Sequence, residues 1–208
     1  MQTPTKSKLV KFNIKNLKYA LKKADGSGWD NPKPLAGAVS LALEPDFNEQ
    51  IVYADGEKIL SIPDDKGFTG ELTVRVIEDH YEIDMGRAMK IQEGHADIQQ
   101  LKSIPHCIYY EVDGYDEGVK KTYKAWLINC RTGRASESYQ QTEDDPTFNS
   151  YAYPLTVLGE KLMDSSGTEE YTDENGNTIK ITRVSSKPTD AGYDTFGDSV
   201  PVLKASAS

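Results

Sequence analysis

The sequence predicts a mainly β domain with one flanking helix. Short runs alternate apolar and polar side chains, clusters of Gly, Pro, Asn and Asp separate them, and a single later stretch carries a helical stripe. The expected layout is an N-terminal arm over 1–9, a β domain over 10–184 and a flexible C-terminal tail over 185–208.

The first segment reads two ways. Val10, Phe12 and Ile14 alternate with Lys11, Asn13 and Lys15, as in a half-buried strand. Val10, Ile14, Leu17 and Leu21 also fit a helical stripe with lysines on another face, but that stripe omits Phe12 and Tyr19, so strands are favoured. Asp25–Gly28 and Asn31–Pro34 then punctuate the chain.

Gly37 to Leu43 is the next expected strand, with Val39, Leu41 and Leu43 on its apolar face and Pro45 ending it. Residues 45–68 read as a long, irregular connection containing Ile51, Val52, Tyr53, Ile59, Leu60 and Ile62. A connection of that length suits either a surface loop or a segment that packs on a neighbouring subunit. Thr69 to Ile77 alternates again as a strand.

Asp79 is placed to cap a helix running to about Lys90, with Glu82 completing a capping-box pair. Tyr81, Met85, Ala88 and Met89 would form its apolar face, and Gly94 would end it. Cys107–Val112 and Lys121–Cys130 are expected strands joined by a turn over 113–118. Trp126 and Ile128 on one face, with Tyr123, Ala125 and Leu127 on the other, imply burial on both sides. Ser136–Thr142 and Ser150–Leu158 complete the set. Glu174–Asn177 is a hairpin turn signal before a strand over Thr178–Val184. Beyond Ser185 the composition turns to Ser, Pro, Gly and Asp, which predicts an extended tail.

The chain has 208 residues, 37% of them hydrophobic, and a formal charge of -9. The charge is uneven: residues 1–23 carry seven lysines and no acid, a segment of +7, which leaves -16 for the remainder. An acidic body disfavours stable nucleic-acid binding, which rests on neutralising phosphates. No run reaches the roughly 18 to 20 apolar residues of a membrane span, and no apolar stretch follows the basic N-terminus as a signal peptide requires.

No catalytic motif, cofactor or metal site is expected. Nucleotide-binding glycine loops and nucleophile elbows are missing from the sequence. His80, His95 and His106 lack ligand spacing, and Cys107 and Cys130 read as buried thiols. Asp173, Asn175 and Asn177 imitate a calcium loop, but Thr178 and Val184 stand where it needs Gly and Glu.

The motifs Asn16–Ala20 (NLKYA), Leu35–Leu41 (LAGAVSL), Val52–Gly56 (VYADG), Gly67–Leu72 (GFTGEL) and Lys124–Leu127 (KAWL) occur in a characteristic order. In that order they resemble the phi-13 type of siphophage major tail proteins, over roughly residues 10–160. The resemblance implies a β-sandwich or barrel-like tail-tube subunit with one flanking helix. Six copies would form a ring, and stacked rings would form a tube through which DNA leaves the virion without specific binding. A tape-measure protein and a tail terminator are the partners it implies, with assembly in the bacterial host cytoplasm and residence in the virion tail.

On that reading Ile51, Val52, Tyr53, Ala54, Asp55, Ile59 and Ile62, with Lys8 and Lys11, are the candidate subunit-interface residues. Glu71, Glu78 and Glu111 are the candidate lumen-facing acids. Attraction between the N-terminal lysines and the acids Asp164, Glu169, Glu170, Asp173 and Glu174 is a further expectation. The alternative is a β-sandwich receptor- or carbohydrate-binding module, for which the 12 tyrosines are suitable.

Overall fold

The computed structural model describes residues 10–54, 57–99, 102–116, 118–139 and 148–205. The elements follow in order as β1 (Val10–Leu21), β2 (Lys33–Pro34), β3 (Ala38–Ala54), β4 (Glu57–Val74), α1 (Asp79–Asp84), β5 (Ala88–Ile91) and β6 (Gly94–Asp97). Then come β7 (His106–Asp116), β8 (Val119–Thr132), β9 (Tyr151–Val157), β10 (Glu160–Lys161), β11 (Lys180–Ile181) and β12 (Arg183–Ser186). The fold is mainly β, as the alternation predicts.

One antiparallel sheet dominates, in the order β2-β1-β7-β8-β9-β4-β3, with β12 added to β8. Leu17 and Tyr19 of β1 share a core with Leu72 and Val74 of β4, Leu127 of β8 and Tyr153 of β9. Strands that far apart in the order meet only if the sheet curls around its own apolar face, as a twisted sheet of this size does. The result is barrel-like, with β1 approaching β3 across an open seam. A cleft of about 520 Å³ lined by Phe12, Ile14, Leu41, Leu43 and Val112 marks that seam.

Strand β1 explains its own mixed periodicity. Asn13 and Asn16 adopt positive φ, at 58° and 51°, and the pairing with β7 shifts register at both places. Each bulge moves the following side chains to the opposite face. Asn tolerates the left-handed conformation better than most residues. Its side chains also hold the bulges: Asn13 donates to Asp113 at 3.0 Å and Asn16 to Glu111 at 2.8 Å.

The helix is shorter than expected. It ends at Asp84, and its N-cap is Glu78 rather than Asp79, with no side-chain capping bond. Gly86, at φ 67°, stops it. Ala88 and Met89 lie in β5, paired with β6, so Gly94 begins a strand rather than ending a helix, and Met89 is exposed. Glu82 serves the core instead of a cap. It receives Nε and Nη2 of Arg87, both at 2.8 Å. Arg87 is fully buried between the Tyr81 and Tyr153 rings and also donates to the carbonyl of Gly133 at 2.6 Å.

The segment expected as an irregular connection over 45–68 is a long hairpin. Strand β3 runs through Pro45, which pairs with Phe68 beside a bulge, and continues to Ala54. Strand β4 returns from Glu57. Strand β9 pairs with β4 only from Phe68 to Val74, so the hairpin beyond that point is a two-stranded ribbon.

Strand β8 is buried on both faces, as read from its sequence. Ala125 and Leu127 enter the main core, whereas Trp126 and Ile128 join a second cluster with Tyr109, Ala20 and Cys107. The cover on that second face is the chain's own C-terminus. Residues 185–205, expected as a flexible tail, form a strap. Strand β12 pairs with β8, and Phe196, Val200 and Leu203 pack on the Trp126 cluster. Strap carbonyls take the polar donors of that face, from Lys18 to Gly197 at 2.8 Å and from Lys124 to Tyr193 at 2.8 Å.

The turn at Glu174–Asn177 is present, with Gly176 at φ 82° and the Asp173 carboxylate accepting the backbone N–H of Asn175 and Asn177. The strand after it divides into β11 and β12. The turn over 113–118 is tighter than expected, because β7 extends to Asp116. Ser136 makes only an isolated bridge to Ala152. Residues 140–142 of that expected strand lie outside the described residues.

Candidate assembly interface

The ribbon is the most unusual surface of the molecule. It projects past the third strand, so both faces of its residues 46–53 and 57–65 lack a covering layer among the described residues. Phe47, Ile51, Val52, Tyr53, Ile59, Leu60 and Ile62 are all exposed, Tyr53 and Ile59 each to 64%. Pairing fixes which share a face. Val52 lies opposite Leu60, and Ile62 is its neighbour on the same strand face. Ile51 and Tyr53 lie on the other face, with Glu49 between Phe47 and Ile51. The Glu49 carboxylate there accepts from Lys58 at 3.2 Å and from Ser61. Ile59 sits in a bulge between Val52 and Tyr53 and has no direct cross-strand partner.

Five of the sequence-derived interface residues, Ile51, Val52, Tyr53, Ile59 and Ile62, therefore converge on one projecting element. Ala54 pairs with Glu57 at its tip. Asp55 and Lys8 lie outside the described residues. Lys11 is elsewhere, on β1, with its ammonium over the Tyr123 ring at 5.1 Å. Phe47 was missed because it follows Pro45 in what reads as a loop.

The three candidate lumen acids lie on three different elements. Glu71 is exposed on β4 opposite Pro154. Glu78 occupies the N-cap position of α1 without a side-chain capping bond, 3.5 Å from His80 Nδ1. Glu111, on β7, is held by Asn16 and by the Tyr109 hydroxyl at 2.7 Å. Burial and that bond to Glu111 push the Tyr109 hydroxyl's pKa far above its ordinary value.

Within one copy, no described N-terminal lysine pairs with the 164–174 acids; the expectation of such attraction between copies concerns the assembly. Asp164 accepts the Ser166 hydroxyl and the backbone N–H of Gly167 and Thr168, and Glu170 pairs with Lys161. The N-terminal lysines are used nearer home. Lys15 pairs with Asp113 at 2.5 Å and Lys22 with Glu160 at 2.8 Å. Asp113 is 1% exposed, covered by lysine stems and Asn13. The bonds from Lys15 and Asn13 hold its carboxyl well below the usual carboxylate range.

A second exposed apolar patch went unread in the sequence. Phe12 stacks on Tyr115 with ring centroids 5.4 Å apart, Val10 lies opposite Tyr115 across β1 and β7, and Val119 is exposed at the hairpin end. The bulge at Asn13 separates Val10 and Phe12 from the core face and turns them outward.

No protein-family model matches the chain, and no curated protein matches it significantly.

Proposed function

We propose that this protein is a structural, self-assembling subunit of a phage tail tube, six copies to a ring and rings stacked around a channel for DNA. The single observation that supports this reading is the ribbon. It leaves seven large apolar side chains in water on an element with no third strand. Isolated two-stranded hairpins are marginal in water, and contiguous exposed apolar surface of this kind marks an interaction site. Packing against another copy would give the ribbon the layer it lacks. The motif resemblance over residues 10–160 supplies the kind of assembly, together with the tape-measure and terminator partners and the virion location.

Negative-stain electron microscopy of the purified chain over a range of concentrations tests the reading. Rings or hollow tubes with a constant diameter are expected. A monomer at every concentration that binds glycans or a cell-surface receptor would replace it with the binding-module reading.

A further inference from the structure

We infer that a cavity between β1, β7, β8 and β12 binds a tetrahedral oxyanion, either inorganic phosphate or the phosphate group of a monoester. The cavity measures about 150 Å³, and Lys11, Arg183 and Lys187 border it with no Asp or Glu among its lining residues. Such a site is independent of what the chain assembles into.

The pairing register builds the site. Ser185 of β12 lies opposite Ala125 of β8, and Ala125 lies opposite Tyr110 of β7. Tyr123 lies opposite Val112 in a neighbouring row. Arg183 lies opposite Leu127, and Lys11 lies opposite Gly114, two residues beyond Val112 on β7. Directly opposed residues share a face, and so do alternate residues of one strand. Tyr110, Ala125 and Leu127 belong to the main core. Lys11, Arg183, Ser185 and the two tyrosines therefore all stand on the core face of the sheet. Lys124 also borders the cavity, but it lies on the opposite face. Its ammonium donates to the strap carbonyls of Tyr193 and Asp194, at 2.8 and 3.2 Å.

The donors of that face lack acceptors. Among the described residues, the side chains of Lys11, Arg183, Lys187, Ser185, Tyr110 and Tyr123 make no hydrogen bond or ion pair. Lys11 and Arg183 lie instead over rings, of Tyr123 at 5.1 Å and of Phe68 at 5.8 Å, and a ring face offsets only part of a cation's charge. Asp190 is close to Lys187, but its carboxylate accepts the backbone N–H at 2.9 Å. Tyr110 is 9% exposed, and a hydroxyl at that depth is ordinarily hydrogen-bonded. Cations gathered without a counter-charge repel one another. An oxyanion removes that repulsion and accepts from every donor. Arg183 offers a planar fork to two oxygens, and the lysines offer point charges to the others. The 150 Å³ cavity far exceeds the ~10 to 15 Å³ that admits one water, so a phosphate fits.

Isothermal titration of the wild-type chain with inorganic phosphate, in chloride buffer at constant ionic strength, tests this. One saturable site per chain is expected, with a higher unfolding temperature as phosphate rises. Lys11→Gln and Arg183→Gln, both at exposed side chains, should each weaken binding about tenfold or more, the loss of one charged hydrogen bond. Tyr110→Phe keeps the charge and nearly the volume, and it should also weaken binding, so the test survives an Arg183 variant that fails to fold. Lys90→Gln, at an exposed side chain of β5, is the control and should bind as the wild type does. Thymidine monophosphate in the same titration separates the sources. Equal or weaker affinity assigns the site to the free anion, and tighter affinity assigns it to a phosphate monoester. Heat no different from that of added sodium chloride, or cavity variants that bind as the wild type does, overturns the site.

Discussion

The Trp126 indole donates its Nε1–H to the carbonyl of Phe196 at 2.9 Å, which places the single polar atom of a fully buried side chain on the C-terminal strap. One residue later, a Cβ on Gly197 would stand 2.8 Å from the Tyr109 hydroxyl and its ring carbon. The strap is thus fitted to this face atom by atom. It seals the second side of β8 within the chain.

Gly197→Val is expected to destabilise the fold by about 1 to 3 kcal/mol, the usual range for overpacking a close contact. Chemical denaturation reads it. In a Trp29→Phe background the remaining Trp126 emission should shift to the red as the strap lifts. An unchanged midpoint and spectrum would mean that the strap does not bear on the tyrosine.

Arg87 and Glu82 form the buried ion pair of the main core. Glu82→Ala removes the acceptor of two Arg87 bonds and of the Tyr153 hydroxyl bond, and leaves a buried guanidinium with only carbonyl and hydroxyl partners. A loss of about 3 to 5 kcal/mol is expected. Replacing both residues by apolar ones of similar volume should cost less than the single change. A double variant worse than either single would contradict this account of the pair.

His106 makes the fold acid-sensitive. Its Nδ1–H donates to the Ile104 carbonyl at 3.0 Å, so Nε2 accepts the Tyr81 hydroxyl at 3.1 Å. Tyr81 Oη lies 2.9 Å from Thr132 Oγ1, to which Arg87 donates at 3.2 Å. Every proton runs toward Nε2, and a second proton there would face the Tyr81 O–H. Burial above all lowers the pKa of His106 to about 4. The unfolded chain takes up the proton near 6.5. Stability is full above pH 6.5, falls as pH drops from 6.5 to 4, and flattens below 4 as far as this group is concerned. The loss is on the order of 3 kcal/mol. His106→Gln should remove that window from a pH series of unfolding midpoints. A wild-type-like slope in the variant would assign the window to other groups.

The sequence was legible where one face of a strand meets the core. Leu72 and Val74, Ala125 and Leu127, and Trp126 and Ile128 all lie on the faces their alternation implies. It misled where local geometry breaks the period. The bulges at Asn13 and Asn16 gave β1 a helical stripe, and Gly86 cut a helix whose apolar spacing continued into β5. The ribbon has no core to impose a period, so its apolar residues fall on both faces and read as a loop. The strap was hidden differently. It is held by donors from Lys18, Lys124 and Trp126 to backbone carbonyls, and carbonyls carry no sequence signal.

Sedimentation velocity of the wild type beside a Tyr53→Ser, Ile59→Ser double variant tests the central claim most directly. Both side chains are exposed, so the variant should keep its fold, with stability within about 0.5 kcal/mol per site. The wild type is expected to shift to fast-sedimenting species as concentration rises, and the variant to stay monomeric. Identical profiles for the two chains, assembled or monomeric, would contradict a ribbon-driven assembly.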